Sequence, residues 1–379
     1  MAPGVVAQNY RWLATGKETF PAMLEAIEQA REAVILEMYI FSAGNPGEAF
    51  REALMRARGR GVAVRVMIDG LGSNHLPTDF WEPLRAAGGE VRVFNPVALN
   101  RLGIRNHRKL VVCDGKVAFV GGYNIAPEYD GDGVTQGWCD LGMQLEGPLV
   151  RELSSSFEEM FSRADFKHKR FVRLRKPVLR RATPGAEEQV LLSGPGRGFN
   201  PIKRALRLDL AKAREVRIMS GYFLPTWRIR RDLMAVARRG GRVQLLLPGK
   251  SDVELAKLAG RSLYRRLLRA GVEIYEYLPQ ILHGKLSIID DVVYVGSANL
   301  DQRSLNINYE VMVRLANPEI AAEAGEIFGR RLERSRHITA EQWSRSRTIW
   351  RRLKQRWAYF VLARVDPYLA QRQWRALPD

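Results

Sequence analysis

The chain of 379 residues holds five histidines, and two of them stand in the same local pattern. The first stretch reads HRKLVVCDGKVAFVGGYN over 107–124, the second HGKLSIIDDVVYVGSAN over 283–299. Each has His, Lys two positions on, four intervening residues, Asp, and a Gly-containing turn that ends in Asn. Residues two apart on a strand leave from the same face, so His107 with Lys109, and His283 with Lys285, present an imidazole and an ammonium together. That pairing suits displacement at a phosphodiester. A neutral imidazole can attack phosphorus and split one hard step into two through a phosphohistidine. A second, protonated imidazole can give the leaving oxygen its proton and later take one from the incoming alcohol. Lys109 and Lys285 would clamp the non-bridging oxygens, with Asn124, Asn299 and Ser297 donating hydrogen bonds to them. The aspartates Asp114 and Asp290 fall at a turn and are expected to brace the loop. Two lysines and two imidazoles already supply the charge, so the reading asks for no metal or other cofactor, and no cysteine or carboxylate cluster shows ligand spacing. His75, His168 and His337 lack the pattern and read as structural.

The elements that must position these groups come as a duplication. AREAVILEMYIF (30–41) is echoed by AREVRIMSGYFL (213–224), ALMRARGRGVAVRVMIDG (53–70) by LMAVARRGGRVQLLLPG (233–249), and LRAAGGEVRVF (84–94) by LRAGVEIYEY (268–277). Helical runs alternate with β-rich runs, the pattern of an α/β fold whose sheet is covered on both faces. The expected layout is a first domain over 1–165, a basic linker over 166–190, a second domain over 191–340 and a basic, Trp-rich tail over 341–379. Glu37 is an acid within an apolar strand, where it needs a buried partner or serves a pocket. Tyr39 and Tyr222 are matched by the repeat and read as core, as do Cys113 and Cys139.

With these motifs the chain resembles the phospholipase D superfamily, whose signature is this pair of His-x-Lys…Asp stretches. The likeness runs over about 10–335, and the layout is similar to bacterial cardiolipin synthases that lack N-terminal membrane helices. Trp138 and Asp140 in GWCD, and Asn308 and Glu310 in NINYE, strengthen it. The resemblance implies two duplicated domains, each a mixed sheet flanked by helices, closing as a pseudo-dimer around one shared site. It implies His107, Lys109, Asp114, His283, Lys285 and Asp290 as the catalytic set, and Glu310 and Asp140 as carboxylates that orient the imidazoles from behind. It further implies transfer of a phosphatidyl group between phosphatidylglycerols, with glycerol released, at the cytoplasmic side of a bacterial membrane. The half-motifs are not equivalent, because Gly122 stands where the second copy has Ser297.

Composition bounds the partners. Sixty Lys and Arg against 41 Asp and Glu leave +19, a field that attracts polyanions without choosing among them. Two cysteines make no disulfide framework. No basic-then-apolar leader opens the chain, and no stretch approaches the ~20 apolar residues of a spanning helix. Membrane contact would therefore be peripheral. In the tail Trp343, Trp350 and Trp357 recur every seven residues among arginines, which on one helix gives a stripe suited to a lipid interface. The same stripe could instead pack on the catalytic domain. An anionic phospholipid is the expected substrate. A hydrolytic phospholipase D or a related phosphatidyltransferase keeps the same site, and a nuclease is the rival of another class; nucleic acid is disfavoured because base-stacking or groove-reading motifs are not apparent.

Overall fold

A computed structural model describes residues 9–97, 103–164, 187–195, 200–345 and 348–366. The first half builds strands β1 (Asn9–Leu13), β2 (Ala33–Met38), β3 (Ala63–Asp69), β4 (Glu90–Phe94), β5 (Leu110–Cys113), β6 (Val117–Gly121) and β7 (Gly142–Glu146). The second builds β8 (Glu188–Ser193), β9 (Glu215–Ser220), β10 (Arg242–Pro248), β11 (Glu273–Tyr277), β12 (Lys285–Ile289), β13 (Val292–Gly296), β14 (Glu310–Ala316) and β15 (Ser335–Ile338). The sheets run β1-β7-β6-β5-β2-β3-β4 and β8-β14-β13-β12-β9-β10-β11-β15. Apart from the added β15, the order is the same twice. Each sheet is mixed: β2, β3 and β4 are parallel, as are β9, β10 and β11, while β5 and β12 run antiparallel to β2 and β9.

Covering both faces explains why β2 and β12 are buried almost throughout rather than on alternate residues. On the outer face of the first sheet, helices Gly16–Gln29 and Gly47–Gly59 bury Phe20, Ile27, Phe50 and Leu54. The second sheet repeats this with Pro201–Lys212 and Trp227–Arg238, through Leu206, Leu210, Ile229 and Leu233. The inner faces share one core. Val120, Met143 and Leu145 from the first half join Val293, Val295 and Val313 from the second, with Phe157 of helix Pro148–Ser162 and Phe328 of helix Pro318–Leu332. Burying both inner faces in one core fixes the halves against each other, which a site made from both requires.

Residues 165–186, most of the expected linker and His168 with it, lie outside the described residues, as do 367–379. The tail departs from a single helix. A short helix, Ala340–Arg345, precedes a separate one at Ile349–Phe360, which Thr348 caps through its hydroxyl and which continues as a π-helical turn to Val365. The three-Trp stripe is thereby broken. Trp343 packs on Tyr264 with ring centres 4.8 Å apart, whereas Trp350 and Trp357 are 75% and 61% exposed. Gln355 and Ala358 on the opposite face are buried against the second domain. One face docks on the second domain, as the packing reading expects, and the other stays open.

Candidate active site at the junction of the repeats

Each motif histidine lies just before the central antiparallel strand of its half, and each is held by backbone of the other half. His107 N–H donates to the Tyr309 carbonyl (3.0 Å), and Tyr309 N–H returns to Arg105 (3.0 Å). Symmetrically, His283 N–H donates to the Cys139 carbonyl (2.8 Å), and Cys139 N–H to Ile281 (2.8 Å). The next residue along each bracing segment is a buried acid, and it meets the imidazole. The Glu310 carboxylate lies 3.0–3.1 Å from His107 Nδ1, and Asp140 Oδ2 lies 2.6 Å from His283 Nδ1. Every imidazole is thus backed by a carboxylate from the opposite repeat.

Both lysines are buried. Lys109 Nζ donates to the His107 carbonyl (2.8 Å) and stands 5.0 Å from the centre of the Tyr39 ring. Lys285 Nζ lies 2.6 and 2.9 Å from the two ring nitrogens of His283 and donates to its carbonyl. Both histidines open onto one cavity of about 360 Å³, and Asn124 and Asn299 line it with them. Asn124 holds its loop by accepting from Ile40 N–H (3.0 Å) and donating to Tyr129 Oη (2.6 Å); Asn299 accepts from Tyr222 N–H (3.2 Å).

Three expectations change. Ser297 does not reach the cavity. It is fully buried, and its hydroxyl donates to Glu310 while accepting from Val311 N–H (3.0 Å), leaving nothing for a substrate phosphate. Its counterpart Gly122 has a steric reason, because a Cβ there would lie 2.0 Å from Asp140 Oδ1. Tyr39 and Tyr222 are cavity wall rather than core: the Tyr39 ring meets His107 at 4.7 Å, and Tyr222 faces His283 at 6.4 Å. Their signal was their matched place just past the first parallel strand of each repeat. Tyr129 and Trp138 also flank His283, at 5.2 and 5.4 Å.

The remaining sequence candidates sit away from the cavity. Asp114 and Asp290 occupy hairpin turns at the far ends of β5 and β12, at φ 54° and 50°. Asp114 accepts the N–H groups of Arg31 (2.9 Å), Glu32 (2.8 Å) and Ala33 (3.0 Å), while Asp290 accepts those of Arg214 (3.0 Å) and Glu215 (2.8 Å). Each ties the hairpin to the start of the neighbouring parallel strand. Glu37 is buried with partners, Asn106 Nδ2 (2.7 Å) and Arg108 (3.1 Å). Both cysteines are buried, and burial pushes the Cys113 thiol up to about 12. His75 and His337 are exposed. Among the described residues no group of three or more His, Cys, Asp or Glu is placed to hold a metal.

Burial dominates the electrostatics. It lowers both imidazoles, and the neighbouring lysines lower them further, so His107 and His283 are neutral near pH 7. Burial brings Lys109 to about 7, helped by repulsion from Lys285, and brings Lys285 to about 8. The acids differ. Burial drives Glu310 up to about 8 despite the pull of Lys109 and the Ser297 hydrogen bond. Burial acts on Asp140 too, but Lys285, His283 and the hydrogen bonds outweigh it and hold that carboxylate ionised.

A family model described as cardiolipin synthase, PLD-like domain matches residues 23–161 and 206–332, one block over each half. The chain belongs to the cardiolipin synthase family of phospholipase D-like proteins. Among its relatives, cardiolipin synthase 1 of Bacillus anthracis is 32% identical over 370 residues, covering 93% of this chain and 71% of that protein. Cardiolipin synthase B of Shigella flexneri is 35% identical over 311 residues, covering 79% and 75%. The crystal structure of phosphatidylserine synthase from Haemophilus influenzae shares the fold at TM-score 0.76 and 13% identity, over 95% of this chain and 94% of that one. Membership of the cardiolipin synthase family makes the chain a phosphatidyltransferase of that type. Each family block carries one His-x-Lys pair, so the match and the geometry coincide on the same duplication.

Proposed function

We propose that this protein joins two phosphatidylglycerols into cardiolipin at a single site shared by both repeats. The observation that carries the reading is the pair of imidazoles opening on one cavity, each backed by a carboxylate from the other repeat. His107 Nε2 attacks the donor phosphorus; the P–O bond to glycerol breaks, and His283, neutral in the empty site and protonated once the anionic phosphodiester lies against it, supplies the proton with which glycerol leaves. A glycerol hydroxyl of the second lipid then gives its proton to His283 and attacks phosphorus, breaking the P–N bond. Asp140, ionised, supports the imidazolium of His283, while Glu310 fixes His107 with Nε2 free to attack. Lys109 and Lys285 carry the phosphoryl charge. Asn124 and Asn299 hold the cavity walls and offer their amides to the phosphate.

The donor and acceptor are anionic lipids met at a peripheral membrane surface. Ile349, Trp350, Leu353, Trp357 and Phe360 form an exposed stripe on the tail helix, and Leu362, one half-turn further, lines the catalytic cavity. Trp and Phe at that place, with Arg351, Arg352, Lys354 and Arg356 around them and +19 overall, favour an anionic bilayer over nucleic acid. Among the described residues no helix is long and apolar enough to cross a membrane. The charge and the two free, buried thiols fit the cytoplasmic face.

Purified protein with phosphatidylglycerol vesicles should yield cardiolipin and glycerol, with little phosphatidic acid and no nicking of plasmid DNA. Digests quenched in denaturant and kept at neutral to mildly alkaline pH, where a P–N bond survives, should carry the phosphatidyl group on the His107 peptide. His107→Ala and His283→Ala should each abolish turnover, since the two act as one unit. Phosphatidic acid as the main product would replace the synthase reading with a hydrolase.

A further inference from the structure

We propose that Arg303 is the subsite for the phosphate of the acceptor lipid, and that Asp366 of the tail helix occupies it while the site is empty. The inference rests on the synthase reading, in which two phosphodiesters must share one cavity. The donor phosphate is met by the histidines with Lys109 and Lys285 beside them, and those lysines are buried, each holding the carbonyl of its own histidine. The acceptor's phosphate lies three carbons from its attacking hydroxyl. It brings a second negative charge to the same cavity and needs a cation of its own.

Arg303 is the one Lys or Arg among the described cavity-lining residues. It sits just past the second-motif turn, in the short helix Gln302–Asn306. Its Nη2 donates to the Gly103 carbonyl (2.9 Å), which anchors the side chain, and its Nη1 donates to Asp366 Oδ1 (2.6 Å). Asp366 also lines the cavity, and its Oδ2 has no hydrogen-bond partner. The pair is a one-point contact between a fork-shaped donor and a carboxylate, half-exposed at 34% and 24%, so an incoming anion can exchange with it. A phosphodiester offers two non-bridging oxygens to the same guanidinium, the geometry Arg recognises best. Beside it, Asn308 lines the cavity at 7% exposure with Oδ1 unpartnered, an acceptor placed to take a glycerol hydroxyl. Two independent features, a cation with an exchangeable counter-ion and a buried orphan acceptor, thus fit the two ends of a glycerophosphate headgroup.

Free glycerol separates this subsite from the rest of the site, because as an acceptor it has the hydroxyl but no phosphate. Wild type and variants are given phosphatidylglycerol vesicles with radiolabelled glycerol, and cardiolipin and labelled phosphatidylglycerol are counted in one reaction. The ratio of the two products does not depend on the fraction of protein folded. Arg303→Gln should lower the cardiolipin-to-exchange ratio at least tenfold through a raised KM for the lipid acceptor. Arg303→Lys, which keeps the charge but not the fork, should fall between. Asp366→Asn should raise the ratio by a few fold. An unchanged ratio in Arg303→Gln, or equal loss of both products, overturns the subsite. Wild-type protein that exchanges glycerol but makes no cardiolipin would instead overturn the synthase reading.

Discussion

Asp140→Asn and Glu310→Gln make the same chemical change in the two half-sites, and the structure predicts very unequal costs. Asp140 is ionised and its Oδ2 lies 2.6 Å from His283 Nδ1. With charge centres ~4 Å apart and an effective dielectric of ~20, the attraction for an imidazolium is about 4 kcal/mol. Removing it should lower kcat by about a thousandfold at ~1.4 kcal/mol per decade. Glu310 is different, since burial holds its carboxyl at about 8. At pH 7 it is roughly nine-tenths protonated, and a glutamine retains the carbonyl that accepts from His107 Nδ1 and from Ser297. Glu310→Gln should therefore stay within about tenfold of wild type at pH 7. The sign with pH follows: above about 8 the wild-type carboxyl ionises and the glutamine cannot, so the deficit of Glu310→Gln widens toward alkaline pH. The assay is cardiolipin formation on phosphatidylglycerol vesicles, read as the variant-to-wild-type ratio of kcat at each pH so that other titrations cancel. A Glu310→Gln enzyme as damaged at pH 7 as Asp140→Asn, or an Asp140→Asn enzyme within tenfold of wild type, refutes the reasoning.

Three further outcomes follow from particular contacts. Gly122→Ala puts a methyl 2.0 Å from Asp140 Oδ1, so it should displace that carboxylate and cost about a hundredfold or more in kcat, measured beside a thermal melt. In the empty site Lys109 and Lys285 lose their charge above about 7 and about 8, so between pH 8 and 10 a soluble phosphodiester should bind more weakly by calorimetry, about tenfold per pH unit for each lysine that must regain its proton and up to about a hundredfold for both; constant affinity across that range would contradict the clamp. Trp350→Ser with Trp357→Ser removes exposed surface only, so sedimentation with anionic vesicles should weaken by roughly a hundredfold while Tm stays put. Loss of Tm with vesicle binding intact would assign the stripe to packing.

Much of this protein was legible in the chain itself. The doubled His-x-Lys…Asp stretch, the matched helix–strand blocks and the resulting α/β class depend on local periodicity and spacing, which sequence records directly. The hairpin role of Asp114 and Asp290 was legible too, since an acid at a tight turn finds nearby backbone N–H groups. The pairing of each imidazole with an acid from the other repeat was not. Glu310 reaches His107 and Asp140 reaches His283 only because the shared core places β14 and β7 beside the opposite histidines. Ser297 was misread for the same reason: a hydroxyl beside a motif turn looks available until the fold puts Glu310 against it. The split of the Trp stripe also lay beyond the sequence, because a spacing of seven gives one face only on an unbroken helix, and here the helix begins anew at Thr348. Short-range chemistry fixed what each repeat carries; contacts across hundreds of residues decided what each group faces.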